Sequence, residues 1–212
     1  MMNEYYKIHQ KRFQNTIDII KQYNILQDEQ MVLSLGDPCG FEEILKQDFD
    51  VHVEKTSGDL RTITLYDNLF DLVLCLEVIE HIKDAESDKI DELAMFTGSG
   101  IQNMLRQSYN SLKPGGHLLI STPNLHCYKT LYNWFVKDSL LTYEPHPREL
   151  SEKYIRIQTE YFFDSVTVDY RNSWYGHGVP QDFVEKAKNI LGLLDFGLDN
   201  REEDNVFFIC RK

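Results

Sequence analysis

The sequence predicts an α/β fold around a mostly parallel β-sheet, because strand patterns alternate with amphipathic helix patterns along the chain. Residues 70–76, with the sequence FDLVLCL, form a nearly continuous apolar run that is typical of a strand covered on both faces. A shorter apolar strand at 31–35 runs into a glycine turn at 36–40, and apolar residues then return at helical spacing. Open α/β sheets bind their ligands at the carboxyl ends of such strands.

The other elements follow from the same two periodicities. Short apolar or alternating runs predict further strands at 51–54, 118–121, 166–170 and 206–210. Apolar stripes predict helices at 3–23, from 41 onward, at 101–112, 125–135 and 183–194, and one capped by Ser151. The sequence KPGG at 113–116 ends one of these helices, and the segment 143–148 is a predicted loop.

Composition and charge restrict the class of protein. With 42% hydrophobic and 26% charged residues, the 212-residue chain is typical of a folded, soluble domain. Its formal net charge of −12 disfavours nucleic acid as a partner, because polyanions are repelled. Four widely spaced cysteines favour reduced thiols, and no apolar run approaches the roughly 20 residues that cross a bilayer. We therefore expect a cytoplasmic protein that does not insert into membranes, while its oligomeric state is not predicted.

Three ionisable side chains follow directly after the strand at 70–76. Glu77, Glu80 and His81 are close enough in sequence to come together at the carboxyl end of this strand. Because this edge of the sheet is where ligands bind, the sequence predicts a functional site there.

Three segments together resemble the class I S-adenosylmethionine-dependent methyltransferases of the type 11/23 methyltransferase-domain group. They are VLSLGDPCG at 32–40, FDLVLCLEVIEHI at 70–82 and LKPGGHLLISTPN at 112–124, and SGDLR at 57–61 and DNVFFICRK at 204–212 extend the resemblance. It implies a Rossmann-like three-layer sandwich with a seven-stranded, mostly parallel sheet whose last strand is antiparallel. The short segment between residues 40 and 59 predicts that one helix is shortened or missing.

The resemblance implies S-adenosylmethionine as the cofactor and assigns the residues that bind it. Those expected beside its methionine end are Gly36, Asp37, Gly40 and Glu77. Glu54 is expected to accept hydrogen bonds from the ribose hydroxyls, as acidic residues do in nucleotide-binding sheets. Asp59 and Leu60 are expected beside the adenine, where a carboxylate accepts from the exocyclic amine.

His81 and His146 are the predicted catalytic residues. Methyl transfer from a sulfonium mainly requires an acceptor held about 3 Å from the methyl carbon. A general base is needed only when the acceptor must lose a proton, and the pKa of histidine suits that task near neutral pH. The alternative for each histidine is a structural role, such as fixing a loop by hydrogen bonds.

A metal site is an alternative interpretation of the same residues. Glu77, Glu80 and His81 are spaced to converge on a divalent cation, with His146 as a distant fourth ligand. This arrangement also resembles the small-RNA 3′-terminal 2′-O-methyltransferases, in which such residues bind magnesium and which share the TPN at 122–124. Because EVIEH also occurs in relatives without a known metal, the principal prediction includes no metal.

We predict a methyltransferase that acts on oxygen or nitrogen of a small-molecule or glycan-type acceptor, in a single domain spanning residues 1–212. Residues 1–28 form the N-terminal helix and lead-in, 29–124 the cofactor-binding half and 125–212 the acceptor-side half. The first alternative is a metal-assisted RNA ribose 2′-O-methyltransferase. The second is a non-catalytic interaction protein that retains the fold, because Ser34 and Pro38 replace the family's usual acidic residue and glycine.

Overall fold

Strands and helices alternate through the residues that the computed structural model describes, which are 4–36, 40–56, 58–84, 99–139, 146–173, 178–194 and 199–212. The strands are β1 (Met31–Ser34), β2 (His52–Lys55), β3 (Phe70–Leu76), β4 (Leu112–Pro123), β5 (Ser165–Arg171) and β6 (Asn205–Arg211). The helices are α1 (Glu4–Gln22), α2 (Phe41–Asp48), α3 (Ser99–Ser111), α4 (Tyr128–Val136), α5 (Glu152–Glu160) and α6 (Gln181–Leu193). A short 3₁₀-helix, Ile79–His81, follows β3. Each strand and helix predicted from periodicity is found, and β4 differs most from its predicted bounds.

The strands form one six-stranded sheet in the order β2-β1-β3-β4-β6-β5. β1 pairs in parallel with β2 and β3, and β3 pairs in parallel with β4. β6 is antiparallel to both of its neighbours, β4 and β5. The prediction of a mostly parallel sheet with an antiparallel last strand is therefore confirmed.

The predicted count of seven strands is wrong, since the described residues form six. The connection from β2 to β3 is short, and its described residues within 56–69 form turns without a strand or helix. In one of these turns the backbone N–H of Thr62 donates to the carbonyl of Asp59 at 3.0 Å. A crossover between parallel strands takes a dozen or more residues, so this segment accommodates one crossover and no additional strand. The segment 40–59, where a helix was expected to be shortened or missing, contains α2, whereas the described residues within 56–69 contain no helix.

Helices cover both faces of the sheet and confirm the predicted three layers. On one face, Phe13 and Ile17 of α1 pack with Phe41 of α2 against the sheet. On the other face, Leu105 of α3 and Ile155 of α5 belong to a second buried cluster. Within the described residues, no helix combines the length and apolar character needed to span a bilayer.

The KPGG segment at 113–116 ends α3 and lies within the beginning of β4. Phe70 of β3 pairs with Leu112, whereas Leu72 pairs with His117, so the intervening residues interrupt the regular pairing. Gly115 has a φ of 80°, which glycine adopts without steric cost, and its N–H donates to the carbonyl of Lys212 at 2.8 Å. The predicted turn is therefore correct, but the strand starts before it rather than after it.

Candidate active site

Strand ends from both halves of the chain meet at one edge of the sheet. The carboxyl ends of β1, β3 and β4 lie there because these strands are parallel, and the amino end of antiparallel β6 joins them. This topology brings together the segments that follow Ser34, Leu76 and Pro123 and the segment that begins at Asn205. All the site residues described below belong to these segments or pack against them.

The glycine turn after β1 lies directly against the end of β3. Gly36 has a φ of 73°, and a Cβ added to it would lie 3.1 Å from Cγ2 of Val78. Gly40 has a φ of 93° and is the N-cap of α2, and Asp37 lies outside the described residues. Ser34, which replaces the usual acidic residue, donates its hydroxyl to the carbonyl of Gly36 at 3.3 Å. The two glycines thus provide the backbone conformation and the open space that a ligand cradle requires.

An open groove of about 350 Å³ continues from this turn between the segments 58–61 and 78–83. Val78, the residue next to Gly36, lines the groove together with Asp59 and Leu60. Leu60 is half-buried against the core, so it presents a fixed apolar surface. The groove therefore brings together Asp59 and Leu60, the two residues expected beside the adenine of S-adenosylmethionine, and Val78 connects it to the glycine turn.

The carboxylates predicted to bind this cofactor lie in different environments. The side chain of Arg61 donates to both oxygens of Asp59, at 2.8 and 3.0 Å, and these hydrogen bonds hold the pKa of Asp59 below its ordinary value. Asp59 is therefore ionised, but its oxygens are shared with Arg61. Glu54 is half-buried in β2 and is aligned with Leu33, whose side chain packs in the core cluster on the α3 side of the sheet.

The carboxylate of Glu77 is held by residues from three distant elements. Oε1 accepts hydrogen bonds from Ser121 Oγ at 2.8 Å and from Asn205 Nδ2 at 2.9 Å. Arg12 of α1 places Nη1 3.7 Å from Oε2, and the Arg12 side chain is only 3% exposed. Glu77 itself has a φ of 54°, a conformation that costs a non-glycine residue about 1–2 kcal/mol. These contacts therefore fix a strained backbone at the point where β3 ends.

Glu80 is a buried carboxyl group with one satisfied oxygen. Its side chain is 1% exposed, and Oε2 accepts a hydrogen bond from Thr122 Oγ1 at 3.1 Å. Oε1 has no hydrogen-bond partner among the described residues. Burial, reinforced by the negative charge of Glu77, raises the pKa of Glu80 well above its ordinary value. An oxygen without a hydrogen-bond partner on a buried acid is energetically costly, and here it lies on the side of Glu80 that faces His146.

His146 approaches the orphaned oxygen of Glu80 from the second half of the chain. Its Nε2 lies 3.9 Å from Glu80 Oε1, and its ring meets the ring of His81 edge-on with centroids 4.6 Å apart. Burial is the main cause that lowers the pKa of His81, and His146 adds to it. One potential ligand atom from each of these three residues lies within 4.8 Å of the others. Glu77 is not part of this group, so the structure brings together three of the four residues in the alternative metal prediction.

A short segment before α5 carries His146 to this position. Arg148 donates to the carbonyl of Ile82 at 3.3 Å and to Asp84 Oδ2 at 3.2 Å, which ties the segment to the loop after the 3₁₀-helix. Leu150 is buried in the core, and Ser151 caps α5 by accepting from the N–H of Tyr154 at 3.2 Å. The predicted cap is therefore correct. Residues 148–151 are held by the contacts of Arg148 with the loop and by the burial of Leu150.

Sequence reasoning missed several residues of the site. Arg12 gave no signal, because a single arginine on an amphipathic helix is ordinary and its contact with Glu77 spans 65 residues of sequence. Asn205 lies just before the predicted last strand at 206–210, in a segment for which no site role was predicted. Glu149 lies three residues after His146 and hydrogen-bonds to it, a spacing that was visible in EPHPREL.

Comparison with known protein families identifies the chain. A family model described as a methyltransferase domain matches residues 14–163, which is more than half of the sequence. The chain belongs to this methyltransferase family. The predicted resemblance to class I S-adenosylmethionine-dependent methyltransferases is thus confirmed, as is S-adenosylmethionine as the cofactor. No curated protein matches the sequence of this methyltransferase.

Solved structures show the same fold at low sequence identity. A SAM-dependent methyltransferase from Archaeoglobus fulgidus has 15% identity and a TM-score of 0.57, with 99% of this chain and 100% of that chain covered. Phosphoethanolamine N-methyltransferase 2 from Haemonchus contortus, in complex with S-adenosylmethionine, has 15% identity and a TM-score of 0.59, covering 94% and 52%. The [4+2]-cyclase SpnF has 11% identity and a TM-score of 0.55, covering 93% and 80%. The fold of this methyltransferase is therefore shared with proteins that differ in substrate and reaction.

Proposed function

We propose that this protein transfers the methyl group of S-adenosylmethionine to oxygen or nitrogen of a small-molecule or glycan-type acceptor. The observation that carries this proposal is the buried pair of Glu80 and His146, which lies at the same strand edge as the glycine turn. A cofactor that extends from Gly36 along the groove places its sulfonium near the end of β3. The acceptor then lies between that point and His146.

The chain's residues supply alignment and a proton acceptor. When bound, S-adenosylmethionine would supply a methyl group activated by its sulfonium, with the neutral thioether S-adenosylhomocysteine as the leaving group. Nε2 of His146 takes the proton that a hydroxyl or protonated amine acceptor loses, a contribution that is typically 10²–10⁴-fold in rate. The contacts that hold the strained backbone of Glu77 also fix the end of β3, near which the cofactor's sulfonium lies in this proposal. The net charge of −12 favours neutral or cationic acceptors over nucleic acids and fits the proposed cytoplasmic role.

Calorimetric titration with S-adenosylhomocysteine, the demethylated product, tests this proposal. We expect saturable binding with one site per chain. Absence of binding at millimolar product would reject it and would favour the non-catalytic interaction protein, which retains the fold without the cofactor. Incubation with methyl-labelled S-adenosylmethionine and fractionated metabolites then identifies the acceptor class.

A second candidate function is metal-assisted methylation of an RNA ribose, and the cluster of Glu80, His81 and His146 favours it. Two imidazoles and one carboxylate are a donor set suited to Mn²⁺ or Zn²⁺. The orphaned Glu80 Oε1 and the approach of His146 Nε2 fit such an ion. Ligand atoms around one ion are about 3–3.5 Å apart, so the side chains would close inward by an ångström or so on binding.

Removal of divalent cations distinguishes the two functions. If the metal-assisted function holds, EDTA reduces methyl transfer to a short single-stranded RNA by at least about 100-fold, and Mn²⁺ restores it. Transfer to RNA would also fall steeply with salt, because phosphate contacts release counterions. Activity on a small-molecule acceptor that is unchanged in EDTA would reject the second function and leave the first in place.

A further inference from the structure

Glu149 lies against the nitrogen of His146 that faces away from Glu80. The distance from His146 Nδ1 to Glu149 Oε1 is 3.0 Å, which is a hydrogen-bond distance. Both side chains are buried, with exposed fractions of 5% for His146 and 6% for Glu149. On the other side of the ring, Nε2 lies 3.9 Å from Glu80 Oε1, which is too long for a hydrogen bond.

This geometry determines which nitrogen of the neutral ring carries the proton. When the carboxylate of Glu149 is ionised it only accepts hydrogen bonds, so the contact then requires a proton on Nδ1. A neutral imidazole has one N–H, and Nε2 is therefore left with its lone pair. That lone pair points to the side of the ring where Glu80 and His81 lie.

The N-terminal cap of α5 is provided by a residue other than Glu149. An acidic side chain before a helix often caps it, but Ser151 caps α5 by accepting from the N–H of Tyr154. The segment is also held by Arg148, which donates to Ile82 and Asp84. The carboxylate of Glu149 thus lies against His146 and does not cap the helix.

We infer that Glu149 is a positioning residue, which holds His146 in the Nδ1–H tautomer with the Nε2 lone pair facing Glu80 and His81. This arrangement makes Nε2 the atom that accepts a proton, or that binds a cation, and the catalytic part of the inference rests on the proposed function. Carboxylates that orient a functional histidine in this way typically contribute 10- to 100-fold to activity or ligand affinity.

The test is ¹⁵N NMR of protein labelled at histidine, recorded about two pH units above the ordinary histidine pKa of 6.5 so that neutral rings dominate. The resonance of His146 is assigned by its loss in His146→Gln. We expect wild-type His146 to show a protonated Nδ1 and an unprotonated Nε2. A protonated Nε2, alone or together with Nδ1, would overturn the inference.

Two variants of Glu149 test whether its hydrogen-bond acceptor, and not the size of its side chain, holds the tautomer of His146. In Glu149→Gln the amide oxygen still accepts from Nδ1–H, so we expect the tautomer to be retained. In Glu149→Leu the acceptor is lost, and we expect the proton to move to Nε2, which faces the carboxyl group of Glu80 at 3.9 Å. An unchanged tautomer in Glu149→Leu would also overturn the inference.

Glu152→Gln is the matched control, because Glu152 lies in the first turn of α5 and pairs with Arg156 rather than with the site. We expect it to leave the His146 resonances unchanged, and a tautomer shift in this control would overturn the assignment to Glu149. Titration with S-adenosylhomocysteine is run on every variant. Failure of the wild type to bind S-adenosylhomocysteine would reject the proposed function. The inference about the tautomer is tested by the NMR spectra alone and does not depend on that titration.

Discussion

Gly36→Val is expected to abolish binding of S-adenosylhomocysteine. Gly36 has a φ of 73°, a conformation that is strongly unfavourable for a β-branched side chain. The added Cβ would lie 3.1 Å from Cγ2 of Val78, and the further methyl groups would extend into the cradle or against the end of β3. We expect calorimetry to show affinity weakened by at least about 100-fold, which corresponds to about 2.8 kcal/mol.

Gly192→Val is the matched control for this substitution. Gly192 lies in α6, and a Cβ added there meets no atom within 4 Å. The same chemical change at this position should leave the affinity for S-adenosylhomocysteine unchanged. Circular dichroism on both variants checks that they are folded. A folded Gly36→Val variant with wild-type affinity would show that the cofactor does not approach this turn.

Glu80→Gln is expected to reduce methyl transfer by about 100-fold while leaving binding of S-adenosylhomocysteine within threefold of wild type. Glu80 contacts Thr122 and faces His146, and neither contact lies in the groove assigned to the cofactor. The amide has nearly the shape of the protonated acid, but it can neither bind a cation as a carboxylate nor exchange a proton with His146. Methyl-labelled S-adenosylmethionine measures the transfer, and calorimetry measures the binding.

The stability of Glu80→Gln provides a check that depends on pH. Because burial raises the folded-state pKa of Glu80 above its unfolded value of 4.5, the wild type loses stability as pH rises above 4.5 toward the folded-state pKa. The variant has no ionisable group there, so its free energy of unfolding should increase relative to wild type over that range.

Equal losses of cofactor binding in Glu80→Gln and Gly36→Val would contradict the separate roles assigned to these residues.

Local sequence patterns predicted the strands and helices more accurately than the family resemblance predicted the sheet. Periodicity placed strands near all the observed positions, because burial of alternate or continuous side chains is a local property of each strand. The seventh strand came from the resemblance alone, and the short connection at 56–69 leaves no room for it. Loss of a strand shortens the chain between two motifs but leaves the motifs themselves unchanged. The motifs therefore give no sign that the strand is missing.

The site was predictable where its residues are adjacent in sequence and not where they meet through folding. Glu80 and His81 lie in one motif, so their proximity followed directly from the sequence. The approach of His146 was proposed, but its partner Glu149 was overlooked because the hydrogen bond depends on the conformation of the segment before α5. The contact between Arg12 and Glu77 depends on how α1 packs on the sheet, which no local pattern specifies.

The contacts around Glu77 also determine when the site can form during synthesis. Its carboxylate is held by Arg12 near the beginning of the sequence, by Ser121 in the middle and by Asn205 near the end. Contacts of such large sequence separation form late, because the closure of long loops must precede them. A nascent chain on the ribosome lacks Asn205 until long after Arg12 and Ser121 have been synthesised. The full set of contacts that holds the strained backbone at Glu77 therefore forms only after Asn205 has been synthesised.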